Sequence, residues 1–222
     1  MSQVQVEKKV LNENDKIAAE LRERFRAAGV LVVNIISSPG SGKTALLEKT
    51  LETLGKKLRM AVLTGDLQTE NDANRLKRWG APVKQILTGT GCHLTARQVE
   101  THLADWPLDQ LDILIVENVG NLVCPAGYDL GEEGKVVLLS VTEGEDKPLK
   151  YPPIFFRSEL MILSKTDLLP YVPFDAEVAK QNARSVHPGL EILPLSVRSG
   201  EGFEAWTAWL VRKLAQVRSR ES

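Results

Sequence analysis

Ser37-Ser38-Pro39-Gly40-Ser41-Gly42-Lys43-Thr44 follows the apolar run Val30-Leu31-Val32-Val33-Asn34-Ile35-Ile36 and precedes Ala45-Leu46-Leu47-Glu48-Lys49. A strand, a Gly-rich turn, Gly-Lys-Thr and a helix make the phosphate-binding loop of nucleoside triphosphatases. Gly40 and Gly42 free the backbone to turn successive N–H groups toward phosphate oxygens. The helix opening near Lys43 adds roughly half a positive charge at its N-terminus. Pro39, Gly40, Ser41, Gly42, Lys43, Thr44 and Ala45 are therefore the expected nucleotide contacts. Lys43 reaches the β- and γ-phosphates and Thr44 holds Mg²⁺. The usual pattern begins with Gly, where this chain has Ser37.

Working outward, hydrophobic periodicity predicts an amphipathic helix over residues 10–28, with Asn12 or Asn14 as its cap and Gly29 as its stop. Strands are expected at 30–36, 60–64, 83–87, 111–116, 135–141, 160–164 and 191–195. Helices are expected at 43–56, 70–79, 94–104, 174–185 and 202–217. This alternation predicts an α/β fold, a mostly parallel sheet with helices on both faces. It divides the chain into an N-terminal helical segment (1–29), a nucleotide-binding domain carrying a metal site (30–217) and a frayed tail (218–222).

The composition is that of one ordinary globular domain. Of 222 residues, 43% are apolar and 26% charged, and the net charge of −1 gives no footprint for nucleic acid. No apolar run is long enough to span a bilayer. The two cysteines make no disulfide scaffold, and a cytoplasmic location is expected.

In such a sheet, ligands gather beyond the C-terminal strand ends. After 60–64 comes Gly65-Asp66, with Asp66 a candidate Mg²⁺ carboxylate and Asp72, further on, a candidate to orient the attacking water. After 111–116 comes Glu117-Asn118-Val119-Gly120. Glu117 takes the second Mg²⁺-handling position, and the Gly120 N–H is placed to sense the γ-phosphate. Ser164-Lys165-Thr166-Asp167 resembles the guanine signature, in which an Asp accepts from guanine N1–H and the 2-amino group while the Lys stem lies along the base. Here Ser164 replaces the usual Asn. Ser196-Val197 resembles the loop that closes over the base. GTP is thus favoured over ATP.

Cys92, His93 and Cys124 form a second constellation. All three follow predicted strands in Gly-containing loops, at one rim. Thiolate and imidazole suit Zn²⁺ or Ni²⁺, and a symmetric dimer could complete so small a ligand set. Cys124 follows Glu117 and Gly120 on one loop, so nucleotide state and metal affinity are expected to be coupled, reciprocally. His102 could be a fourth ligand but reads better as a polar helix residue, and His187 reads as a helix end.

These motifs, with Ser140-Val141-Thr142-Glu143-Gly144-Glu145-Asp146-Lys147-Pro148, resemble the hydrogenase nickel-incorporation GTPases of the HypB family over about residues 30–210. The resemblance implies a SIMIBI-type P-loop GTPase that cycles between GTP and GDP with Mg²⁺ and dimerises on binding GTP; no arginine finger is evident, so turnover is expected to be slow. It implies Ni²⁺ or Zn²⁺ at Cys92, His93 and Cys124, and nickel delivery to the large subunit of [NiFe]-hydrogenase with a HypA-like zinc protein as partner. It places Lys150 near the nucleotide across the dimer. Many members begin with a Cys-rich or His-rich stretch that this sequence lacks, so tight N-terminal metal binding is not expected. The urease accessory family UreG is the nearest rival, but its members carry Cys-Pro-His where this chain has Cys92-His93. A small-molecule kinase is a rival of another class, but the corresponding loops lack its usual Arg-rich lid.

Overall fold

A computed structural model describes residues 3–66, 71–89 and 91–220. Seven strands form one parallel sheet: β1 Leu31–Ser37, β2 Met60–Asp66, β3 Val83–Leu87, β4 Ile113–Glu117, β5 Gly134–Ser140, β6 Leu160–Ser164 and β7 Glu191–Leu195. They lie side by side in the order β3-β2-β4-β1-β5-β6-β7, every pair parallel. The expected fold class is the observed one. Because all strands run one way, every loop after a strand reaches the same rim. The phosphate loop after β1 lies at the centre, with the loops of β4 and β5 beside it.

The helices are α1 Gln3–Ala27, α2 Lys43–Leu54, α3 Asn71–Lys77, α4 Ala96–Leu103, α5 Lys147–Lys150, α6 Pro152–Arg157, α7 Ala176–Val186 and α8 Phe203–Ser219. Alternate residues of the buried strands serve opposite faces. Leu31, Val33 and Ile35 meet Leu46, Leu47 and Leu51 of α2 and Trp206 and Leu210 of α8. On the other face Val32, Leu63, Leu114 and Val116 pack with Leu21 and Phe25 of α1 and Val99 of α4. Ile36, Val137 and Leu139 pack with Phe155 of α6 and Ala179 of α7. Each fully buried Leu or Phe contributes roughly 1.5–3 kcal/mol. The Trp206 indole N–H donates to Thr50 Oγ1 at 2.9 Å, pinning α8 to α2.

Three expectations change. Helix α1 begins at Gln3 rather than residue 10, because QVQVEKKVL continues it without Gly or Pro. Asn12 and Asn14 therefore lie within the helix and cap nothing of its own. Buried Asn14 instead donates to Asp129 O at 2.8 Å and accepts from Ala96 N at 2.9 Å, capping the start of α4. At the other end α8 continues through Ser219, and Arg218, expected in a frayed tail, donates to Asp112 Oδ1 at 2.6 Å. Finally, α5 and α6, the two short helices between β5 and β6, went unanticipated. Their four and six residues are too few to show a helical period, and Pro148, Pro152 and Pro153 open them.

Candidate functional site

The phosphate loop takes the conformation its glycines allow. Gly40 and Gly42 have φ of 76° and 98°, in the left-handed region, and Gly42 is the N-cap of α2. Ser37, in place of the usual Gly, is fully buried and accepts from Lys43 Nζ at 2.8 Å. The substituted hydroxyl therefore holds the lysine rather than disturbing the loop. Burial pulls the Lys43 ammonium pKa down, while Glu117, Asp72 and Glu143 pull it back up. The second lysine of the site, Lys165, is the one non-glycine residue with positive φ among those described. Its Nζ donates to Gly40 O at 2.7 Å, laying its stem over the loop.

A cavity of about 440 Å³ is bounded by Pro39, Gly40, Gly42, Lys43, Thr44 and Ala45, and by Asp66, Asp72, Arg75, Glu117 and Gly120. The structure thus gathers the expected phosphate and Mg²⁺ residues, Ser41 apart, into one space. Thr44 Oγ1 donates to Glu117 Oε1 at 2.9 Å, while Glu117 Oε2 is buried without a hydrogen-bond partner. Burial pushes the Glu117 carboxyl up to about 7, against the pull of Lys43 and Thr44. A hydroxyl, a carboxylate with an unsatisfied buried oxygen and a phosphate cradle are the donor set that Mg²⁺ takes.

An adjoining cavity of about 410 Å³ is lined by Ser41, Ala45, Leu138, Ile162, Ser164, Lys165, Asp167, Leu168, Leu195 and Val197. Its walls are mostly apolar, with one carboxylate among them, the kind of lining that takes a planar ring and fixes its orientation. Ser196 Oγ donates to Asp167 Oδ1 at 2.6 Å, which aims that carboxylate. Ser164 donates to Ser41 O at 2.7 Å, so its hydroxyl ties β6 to the phosphate loop.

Lys150 lies apart from both cavities, exposed and paired to Asp146 Oδ2 at 2.6 Å. The residues from that loop that do reach the phosphate loop within this chain are Glu143 and Lys147. Glu143 Oε1 accepts from Ser41 Oγ at 2.7 Å, and Lys147 Nζ donates to Ser38 Oγ at 3.5 Å while pairing with Glu143 Oε2 at 3.4 Å. Arg75 was also missed. It stands one turn from Asp72, their charged atoms 3.6 Å apart, and forks onto Glu48 of α2. The signal was present in the i, i+3 spacing on an expected helix.

The metal-ligand candidates converge as expected. One ligand atom each from Cys92, His93 and Cys124 lies within 4.8 Å of the others, all three residues half-buried. Both cysteines are free thiols. The neighbouring Cys124 and burial push the Cys92 thiol up, and burial pushes the His93 imidazole down. A thiol binds a metal as its thiolate, so a cation entering this site would displace protons. The His93 ring stacks on Tyr128, centroids 3.8 Å apart. His102 Nδ1 instead meets Gln98 O at 2.8 Å on α4, and His187 caps the end of α7.

A family model of the nucleotide-binding domain of CobW/HypB/UreG matches residues 31–194. The hydrogenase maturation factor HypB of Azotobacter vinelandii is 53% identical over 212 residues, covering 95% of this chain and 69% of that protein. Its Escherichia coli K12 counterpart is 52% identical over 207 residues, covering 93% and 71%. This chain belongs to the HypB family of hydrogenase maturation factors. Among solved structures, HypB of Archaeoglobus fulgidus superposes with a TM-score of 0.86 at 38% identity, covering 91% of this chain and 99% of that one. HypB of Helicobacter pylori, solved in complex with nickel, superposes at 0.87 with 41% identity, covering 92% and 96%. Membership of HypB favours the first reading over UreG and the kinase, and it makes the chain a P-loop protein of a GTPase family. A signal recognition particle protein bound to GDP, at TM-score 0.55 and 15% identity, shares the fold. Among the described residues no helix is long and apolar enough to cross a membrane.

Proposed function

We propose that this HypB protein is a slow GTPase whose nucleotide state controls a nickel site, and that it delivers nickel to the large subunit of [NiFe]-hydrogenase. One observation carries the reading: Cys124, one of the three converging ligand candidates Cys92, His93 and Cys124, lies on the loop after β4, and that loop begins at Glu117 and Gly120, which face the phosphate cavity. The nickel complex of the Helicobacter pylori relative supports the choice of metal.

In this reading GTP places its base against Asp167, Lys165, Ser196 and Val197, and its phosphates on residues 39–45. Lys43 neutralises the β- and γ-oxygens. Thr44, Glu117 and Asp66 would hold Mg²⁺, which would supply charge neutralisation to the phosphoryl group. Asp72 orients the attacking water. Phosphoryl transfer of this kind needs positioning and charge more than covalent chemistry, which the cavity provides. Nickel or zinc is cargo at Cys92, His93 and Cys124. GTP binding brings two copies together, with Lys150 of each approaching the other's nucleotide, and a HypA-like zinc protein receives or supplies the metal.

Complementation tests the assignment. In a hydrogenase-producing cell lacking its own HypB, the wild-type chain should restore hydrogenase activity and Cys124→Ala should not, with excess nickel in the medium rescuing the variant. Full restoration by Cys124→Ala at limiting nickel would contradict a role for the cluster.

A further inference from the structure

The metal cluster comes from two loops, and only Cys124 lies on the loop that faces the phosphates. The other two ligands, Cys92 and His93, follow β3. For the whole cluster to respond to nucleotide, something must join the loops.

Two asparagines make that junction. Asn118 is 2% exposed. Its backbone N–H donates to Ile35 O at 3.0 Å and its Nδ2 to Asn34 Oδ1 at 3.2 Å. Asn34 in turn donates to buried Glu132 at 3.1 Å. So held, Asn118 Oδ1 accepts from Leu94 N at 3.3 Å and from Val119 N at 3.0 Å. The Leu94 side chain lies against Gly65, where an added Cβ would stand 2.9 Å from it. Leu94 is thus fastened to the sheet on two sides.

Asn121 is placed differently. It follows Gly120, which lies on the backbone of Pro39. Its Oδ1 accepts from Val123 N at 2.8 Å, shaping the turn that leads to Cys124. Its Nδ2 donates to Cys92 O at 3.3 Å, crossing to the other loop.

We propose that Asn121 is the positioning residue that transmits nucleotide state to the Cys92–His93 half of the metal cluster, with Asn118 and Leu94 as its fixed pivot. A shift of Gly120 against Pro39 moves Asn121, and Asn121 moves the carbonyl of Cys92 while Leu94 stays put. Cys124, on the same turn, moves with Asn121. The distance between the two thiols then depends on the phosphate end of the loop. This inference rests on the coupled-nickel reading above.

Asn121→Asp isolates the bond. A carboxylate still accepts from Val123 N and keeps the turn, but it has no N–H to offer Cys92 O. The experiment is titration with Ni²⁺ alone of the wild type, Asn121→Asp and Asn121→Ala, each bound to GDP and to a non-hydrolysable GTP analogue. GTP hydrolysis and thermal denaturation are measured in parallel. The readout is the ratio of nickel affinities in the two nucleotide states, because an added charge changes both affinities together. The expected result is a wild-type ratio away from one that falls by roughly two- to tenfold toward one in Asn121→Asp, the range a single hydrogen bond supports. Hydrolysis and melting temperature stay near wild type. An unchanged ratio in both variants overturns the role of Asn121 and leaves the coupling reading standing. A wild-type ratio of one overturns the coupling reading itself. Loss of nickel binding in both nucleotide states of both variants shows a merely structural asparagine and also overturns the proposal.

Discussion

Gly120 rests on Pro39 so closely that a methyl group at Gly120 would stand 3.1 Å from both the backbone N and the Cα of Pro39. The loop that carries Cys124 and the loop that cradles phosphate are therefore in backbone contact. Gly120→Ala should push them apart by a few tenths of an ångström. Overpacking of this kind costs roughly 1–3 kcal/mol. The expected outcome is a five- to hundredfold loss of affinity for a GTP analogue with a smaller loss for GDP, read by calorimetric titration. Equal losses for both nucleotides would mean that the contact does not face the γ-phosphate.

The fold was legible because its decisive residues are consecutive. The run 30–49 shows its strand, turn and helix without help from the rest of the chain, and β6 and β7 end where the apolar pattern ends. The candidate ligands were legible because thiolate and imidazole are rare in this chain. What stayed hidden depends on distant partners. Nothing local to Asn14 says that it will cap α4 from across the core, and nothing local to Asn118 says that it will hold Leu94. Ser37 and Ser164 read as departures from a motif. The structure gives each a bond, to Lys43 and to Ser41, that the sequence pattern could not display.

Base selection is expected to run through Asp167, whose carboxylate accepts from Ser196 Oγ at 2.6 Å. Asp167→Asn removes an acceptor that the guanine N1–H and amino group need and offers a donor instead. It should weaken GDP binding at least tenfold, since a charged hydrogen bond is worth roughly 1.5–3 kcal/mol, and shift preference toward a xanthine nucleotide, whose 2-oxo group accepts. Ser196→Ala should cost less, because it only frees the carboxylate. Competition between guanine and xanthine nucleotides for the site gives the test; unchanged guanine preference in Asp167→Asn would place the base elsewhere.

Magnesium dependence should run through Glu117. Glu117→Gln keeps the size and a hydrogen bond to Thr44 but removes the charge. Hydrolysis should fall by roughly 10²–10³, the scale of losing one preorganised electrostatic contact, with GDP binding in the absence of Mg²⁺ unchanged. Single-turnover hydrolysis across a Mg²⁺ titration reads both. A variant that hydrolyses GTP at the wild-type rate would remove Glu117 from the metal's surroundings.

Acid stability should depend on Asp112. Its carboxylate is held by Arg59 at 2.9 Å, by Arg218 at 2.6 Å and by the Arg59 backbone N–H at 2.7 Å, which keeps it well below its ordinary value of 3.8. A depressed pKa contributes stability that is present above the unfolded value and lost as the pH falls below it. Asp112→Asn should therefore destabilise the protein by about 1–3 kcal/mol at pH 7, and the gap should close as the pH drops below about 4. Urea denaturation at several pH values follows the difference, and a gap that widened in acid would contradict this assignment.

The central claim is that nucleotide and metal share one loop and therefore one free energy. It is tested most directly by the nickel affinity of the wild-type chain bound to GDP and to a non-hydrolysable GTP analogue, repeated with Cys124→Ala. The account predicts affinities or stoichiometries that differ between the two nucleotides, by the five- to 150-fold range typical of coupled sites, with the difference abolished in Cys124→Ala. Nickel binding that is absent, or identical in the two nucleotide states, would contradict it and leave a GTP-binding switch whose cysteines serve another purpose.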